Sequence, residues 1–172
     1  MRRTDPGPGG EKWALLVGVD KCRDIGELTV CASDVLALKA MLVQIGYPSD
    51  HITVLVDDQS DFNINTWPTL SNVERAVTRL ARVADSRDTI LFFFSGHGVN
   101  DDGSNLLVPT DGDLKKGIAL DWVCGQFASS RAAEKIVLLD ACHSSASKGV
   151  SGIIPDLKAG ADLSMLFSCE KD

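Results

Sequence analysis

The chain has 172 residues, 44% of them hydrophobic and 24% charged, which is enough for one domain with a real core and ordinary for a globular protein. Its 17 Lys and Arg against 24 Asp and Glu leave a net charge of −7, which argues against the clustered basic footprint of a nucleic-acid binder and is compatible with a cationic substrate. Cys22, Cys31, Cys124, Cys142 and Cys169 are odd in number and contain no C-x-x-C pair, so structural zinc is disfavoured and a reducing compartment, the cytoplasm, is expected. No stretch approaches the ~18 apolar residues of a membrane span.

Residues 1–11 lack the apolar centre of a signal peptide and are read as a flexible lead-in. Trp13 to Val19 is a continuous apolar run, as expected of a strand covered on both faces. From about Ser33 to Ile45, the residues Val35, Leu36, Leu38, Met41, Leu42 and Ile45 recur at helical spacing, with Ser33 as the expected N-cap and Gly46 and Pro48 as the stop. Ile52 to Val56 predicts a second strand, and the polar stretch from Asp57 to Pro68 a surface loop. Ser71-Asn72-Val73-Glu74 matches a capping box and opens a helix whose inward face is Val73, Ala76, Val77, Leu80 and Val83. Residues 90–94 and 136–139 predict two further strands, with a short helix between them, capped by Asp121 and containing Trp122, Val123 and Phe127. Leu163 to Ser168 predicts a fifth strand.

Strands alternating with helices imply an α/β three-layer sandwich, a mostly parallel sheet with helices on both faces, in one domain over residues 12–172. The fifth strand is too apolar for a free edge, so further polypeptide is expected beside it.

The reactive side chains follow two of these strands. Ile90 to Phe94 runs into Ser95-Gly96-His97-Gly98, and Ile136 to Leu139 into Asp140-Ala141-Cys142-His143-Ser144. Parallel strands bring their C-terminal ends to one edge of a sheet, so His97 and Cys142 are expected to meet there as base and nucleophile. A thiolate beside imidazolium is a strong nucleophile, where a neutral thiol is a modest one. His97 lies between two glycines, where neither helix nor strand is expected, which speaks against a packed core histidine. His143 follows the nucleophile too closely to be aimed at it and is read as a neighbour. Cys22, Cys124 and Cys169 are assigned to packing or exposure, and His51 to a loop or strand edge.

Together these residues resemble the caspase-like clan of cysteine peptidases, over residues 13–172. The His-to-Cys separation of 45 is close to the ~50 of caspases. Where caspases carry Gln-Ala-Cys, this chain has Asp140-Ala141-Cys142 followed by His143-Ser144, which resembles metacaspases. The metacaspase Cys-x-x-Asp at the start of the first helix is matched by Cys31-Ala32-Ser33-Asp34, and the Ser two residues before the catalytic His by Ser95. The resemblance implies a caspase-like fold, with Cys142 as nucleophile, His97 as general acid and base, and the amides of Gly98 and Cys142 as oxyanion hole. It also implies a pocket built from Cys31, Asp34, Ser95 and Asp140. Two carboxylates in a concavity attract a guanidinium or ammonium and repel a carboxylate, so cleavage of a protein or peptide substrate after Arg or Lys is expected.

The same resemblance offers calcium as an activator, with Asp101, Asp102, Asp111, Asp113 and Asp121 as the acidic residues that follow the His; no residue is assigned as a metal ligand. It further suggests a small-subunit-like C-terminal segment as partner, self-cleavage at Lys148 or Lys158 in the loop from Ser144 to Asp162, and a setting in regulated cell death or defence. A non-catalytic interaction domain on the same fold is the alternative. A flavodoxin-like ligand module is disfavoured, because Gly18-Val19-Asp20-Lys21 is too sparse for a phosphate loop.

Overall fold

The apolar runs of the sequence become the parallel strands of one sheet. The computed structural model describes residues 10–22, 25–57, 66–143 and 163–168, of which Cys142, His143, Phe167 and Ser168 are described by their backbone alone. The elements follow in the order β1 (Lys12–Gly18), α1 (Cys31–Gln44), a 3₁₀ turn (Ser49–His51), β2 (Ile52–Val56), α2 (Leu70–Val83), β3 (Thr89–Asp101), β4 (Ser104–Leu107), β5 (Ile118–Ala119), α3 (Leu120–Ala128), β6 (Glu134–His143) and β7 (Leu163–Ser168). Strands β2, β1, β3, β6 and β7 lie side by side in that order, all parallel. Strands β4 and β5 extend the sheet antiparallel from the far end of β3.

Side chains alternate along each strand and feed two cores. On one face Leu15, Val17, Phe92, Phe94, Val137 and Leu139 pack with Val73, Val77 and Leu80 of α2 and Val123 and Phe127 of α3. On the other face Ala14, Leu16 and Leu91 meet Val35 and Leu42 of α1. The three-layer α/β arrangement predicted from the alternation of elements is therefore the one observed.

Several local expectations need correction. Ser33 is not the cap of α1: it lies inside the first turn, its hydroxyl donates to the Val30 carbonyl at 2.7 Å, and the first amides of the helix are accepted by Asp20 instead. Leu36, Met41 and Ile45 of that helical pattern are exposed, while Val35 and Leu42 are buried. Helix α2 starts one residue before Ser71; Thr69 is its N-cap, and its hydroxyl accepts the Asn72 amide at 3.3 Å. Asp121 lies in the first turn of α3, whose N-cap is Ala119. Asp57, the first residue of the predicted surface loop, is buried; residues 58–65 of that loop lie outside the described residues, as do the lead-in 1–9 and the segment 144–162.

Two glycines are dictated by geometry. Gly46 ends α1 with φ +91°, the left-handed conformation that glycine adopts without steric cost. Gly18 sits where a Cβ would come within 2.7 Å of the Cys31 carbonyl oxygen, so the start of α1 can pack on β1 only because residue 18 has no side chain.

Candidate active site

Strands β3 and β6 both run past their apolar segments. β3 continues through Ser95, Gly96, His97 and Gly98, and β6 through Asp140, Ala141, Cys142 and His143. His97 is thus part of a strand and is 6% exposed, contrary to the expectation that no regular element would form between its glycines. The polar run still pairs because β6 supplies a complete neighbour: Ser95 stands opposite Asp140, His97 opposite Cys142 and Gly98 opposite His143. On its other side Gly98 pairs with Leu107 of β4, and the His97 carbonyl accepts the Val108 amide at 2.9 Å.

The imidazole is oriented by a backbone group. His97 Nε2 lies 2.6 Å from the carbonyl oxygen of Gly26. A carbonyl only accepts, so the proton resides on Nε2 and Nδ1 keeps its lone pair in the neutral ring. Nδ1 is buried and has no hydrogen-bond partner among the described residues. No carboxylate orienter was found in the sequence, and the structure explains why: the partner is main chain, which leaves no side-chain signature.

Gly26 belongs to the loop that leaves β1. The Val19 amide donates to the Ser95 carbonyl at 2.9 Å, and the Leu28 amide to the Asp20 carbonyl at 2.8 Å. Thr110 ties the loop from outside, its hydroxyl donating to the Lys21 carbonyl at 2.9 Å.

The four pocket candidates come from three elements. Ser95 in β3 and Asp140 in β6 are neighbours in register, in phase with the strand residues that face α1. Cys31 and Asp34 occupy the first turn of α1. Ser95 and Cys31 are buried, Asp34 and Asp140 half-buried. Burial pushes the Cys31 thiol up to about 12; a hydrogen bond with Ser95 pulls it down, and the Asp20 and Asp34 carboxylates nearby push it up again. The Cys31 thiol therefore stays protonated at neutral pH, in contact with Ser95.

Two of the five aspartates named beside calcium, Asp111 and Asp113, accept backbone amides. Asp111 Oδ1 accepts the Leu70 amide at 2.7 Å, and Asp113 Oδ1 accepts the Lys115 and Lys116 amides at 2.8 and 2.9 Å. Among the described residues no group of three or more His, Cys, Asp or Glu side chains is placed to hold a metal ion. Among the described residues these aspartates do not gather into such a group, and no step is routed through calcium. Among the described residues no helix is long and apolar enough to cross a membrane.

A five-stranded parallel ladder, with a tethered imidazole and a cysteine directly opposite each other near its C-terminal edge, defines the class as caspase-like. The caspase domain family model matches residues 11–172, and the chain belongs to that family. Metacaspases are among the proteins it is similar to: it is 38% identical over 109 residues to metacaspase-1 of Scheffersomyces stipitis (63% of this chain, 25% of that one) and 30% identical over 147 residues to metacaspase-1 of Eremothecium gossypii (78% of this chain, 32% of that one). The chain thus spans about a quarter to a third of the length of these relatives. The solved structure of pro-Sf-caspase-1 superimposes with a TM-score of 0.65 at 16% identity, covering 95% of this chain and 63% of that one. A Geobacter sulfurreducens protein of known crystal structure gives 0.59 at 21% identity, covering 78% of this chain and 51% of that one. At such identities these two structures speak for the fold alone.

Proposed function

We propose that this chain is the catalytic part of a cysteine endopeptidase that cuts after Arg or Lys through a Cys142–His97 dyad. The observation that carries the reading is the state of His97: Nε2 is tied to the Gly26 carbonyl, Nδ1 has no partner among the described residues, and Cys142 is directly opposite in the β3–β6 ladder. Nδ1 takes the thiol proton, and the thiolate adds to the scissile carbonyl. The amides of Gly98 and Cys142 hold the oxyanion. The imidazolium then gives its proton to the leaving amine, and the acyl-enzyme forms. Water, deprotonated by Nδ1, opens the thioester and restores the thiol.

Asp34 and Asp140 confer the basic preference, with Ser95 and Cys31 as walls between them. Register and the Cys31–Ser95 contact support the grouping. Arg is expected to be the better substrate, because its planar fork engages a carboxylate at two points. The free thiols of Cys22, Cys31 and Cys124 support a reducing, cytoplasmic compartment. Strand β7 pairs with β6, and its Leu166 is 67% exposed, so a small-subunit-like segment is assigned to its outer side. Lys148 and Lys158, outside the described residues, are the proposed self-cleavage sites. Regulated cell death or defence is attached by family analogy alone.

Matched fluorogenic peptides ending in Arg, Lys, Asp or Leu test the reading. Arg and Lys peptides are expected to turn over, with Cys142→Ala lowering the rate by roughly 10³-fold or more. Asp34→Asn and Asp140→Asn are each expected to lower kcat/KM for Arg peptides by roughly 10- to 100-fold, the value of a charge-assisted hydrogen bond. Faster cleavage after Asp would discard the pocket. No turnover of any peptide, with Cys142 also inert toward a peptidyl-arginyl electrophile, would discard the enzyme in favour of an interaction domain.

A further inference from the structure

Asp20 belongs to no sequence motif and contacts neither Cys142 nor substrate in the scheme above. It stands just past β1, half-buried, with a set of hydrogen bonds organised around it. Its Oδ1 accepts the Cys31 amide at 2.9 Å and its Oδ2 the Ala32 amide at 3.2 Å. Its carbonyl accepts the Leu28 amide at 2.8 Å, closing the loop that contains Gly26. Its own amide donates to Asp57 Oδ1 at 3.0 Å, and the next amide, that of Lys21, to Asp57 Oδ2 at 2.7 Å. Asp57 is 4% exposed and follows directly on β2, so the sheet fixes its position.

A continuous path therefore runs from the sheet through Asp57 to Asp20, and there it divides. One branch enters the first turn of α1, which bears Cys31 and Asp34. The other enters the loop whose Gly26 carbonyl orients His97. A carboxylate accepting helix amides makes strong, charge-assisted bonds and also complements the positive end of the helix. We infer that Asp20 is a positioning residue that sets the histidine base and the basic-residue pocket together, acting through the Gly26 carbonyl and the first turn of α1. This rests on the active-site reading above. It goes beyond that reading in tying recognition and base orientation to one side chain that touches neither substrate nor reacting atoms.

If Asp20 served stability alone, Asp20→Ala would lower the melting temperature and move nothing else. The distinguishing readouts are the His97 Nε2 proton and the selectivity of Cys142. In ¹⁵N-histidine NMR, wild type is expected to show a slowly exchanging, downfield Nε2 proton for His97. Asp20→Ala is expected to lose it. In parallel, alkylation rates of Cys142 are measured with iodoacetamide, which needs no pocket, and with a peptidyl-arginyl chloromethyl ketone, which does. In Asp20→Ala the peptidyl reagent is expected to slow by roughly 10- to 100-fold, the penalty of about 1 Å of misplacement, and its advantage over iodoacetamide to shrink.

Asp20→Asn keeps the shape but turns one acceptor oxygen into a donor facing a helix amide. It is expected to fall between wild type and Asp20→Ala in both readouts, and it decides the matter if circular dichroism shows that Asp20→Ala does not fold. A folded variant with the wild-type His97 proton and the wild-type reagent ratio would overturn the inference. If wild-type Cys142 shows no preference for the peptidyl reagent while the His97 proton still disappears in the variant, the peptidase reading fails and the structural link stands.

Discussion

Gly26 has no side chain, yet its carbonyl oxygen assigns the tautomer of His97 and so leaves Nδ1 as the nitrogen that would serve as base in the proposed reaction. The residues that carry reactive side chains, His97 and Cys142, were legible because a reactive group after an apolar run is a conspicuous pattern. Gly26, Asp20 and Asp57 were not, because they act through main-chain carbonyls and amides, and any residue type supplies those. A weak signal did exist: Asp20 and Asp57 each follow directly on a predicted parallel strand, the end of a sheet at which polar groups gather to hold loops. The thiols show the same dependence on surroundings. Burial, with nearby carboxylates, pushes Cys22 and Cys124 up to about 11 and Cys31 up to about 12. At pH 7.5, brief iodoacetamide treatment of the native protein is therefore expected to label Cys142 and spare these three, read by peptide mass spectrometry; equal labelling of Cys31 would contradict the pocket geometry. The linked effect on stability has a definite sign. The unfolded chain begins to lose these protons near pH 9, whereas the folded state holds them to about 11 or 12. Stability is thus fully present below pH 9 and falls as pH rises through the folded values, so the melting temperature is expected to drop by a few degrees between pH 9 and pH 11.

Helix α2 shows where element-level reading works and where it stops. Its inward face was legible: Val73, Val77 and Leu80 are buried, and Ala76 and Val83 pack against the same core. Its start was not. The capping-box match at Ser71 has the right letters, but the chain turns earlier, because Thr69 is extended and a long-range partner, Asp111, accepts the Leu70 amide at 2.7 Å. A cap supplied from 41 positions away in sequence cannot be read from a local motif. The same holds for α1, where Asp20 replaces Ser33 from 11 positions away. The consequence is measurable. Asp111→Ala and Thr69→Ala are each expected to lower unfolding free energy by about 1 kcal/mol, while Ser71→Ala changes it by under about 0.5 kcal/mol, in urea or thermal denaturation. A larger loss at Ser71 than at Thr69 would restore the sequence-based boundary. Strands β4 and β5 escaped notice for another reason: 4 and 2 residues carry too little periodicity to stand out, and β4 is stabilised by pairing with the polar extension of β3 and β5 by pairing with β4.

At the scale of the whole molecule the two faces of the sheet are unequal. The face under α2 and α3 carries the larger core, with Phe92, Phe94 and Phe127 fully buried and Phe92 meeting Phe127 edge to face at 6.3 Å. The face under α1 buries fewer and smaller groups; α1 itself contributes Cys31, Val35 and Leu42 and leaves Leu36, Met41 and Val43 exposed. Continuous apolar runs in β1 and β3 announced that both faces would be covered, but runs apolar on both sides cannot say which face is better filled. All four pocket candidates, and the loop that holds His97, belong to the less filled side. Local opening free energies follow buried apolar contact, so the elements proposed to admit a substrate are drawn from the weaker core. Amides in the middle of α1 are therefore expected to exchange hydrogen roughly 10-fold or more faster than those in the middle of α2, measured by mass spectrometry on the native protein at neutral pH. Truncating Val35 to Ala should widen that gap by removing one of the few anchors of α1, at a cost of about 1 to 3 kcal/mol, and should loosen the pocket before it unfolds the sheet. Equal protection of the two helices would mean that α1 is held by its Asp20 cap and its packing on Gly18 as firmly as α2 is by its phenylalanine-rich core. In that case substrate access would have to come from the loop carrying Gly26, and α1 would be a fixed wall.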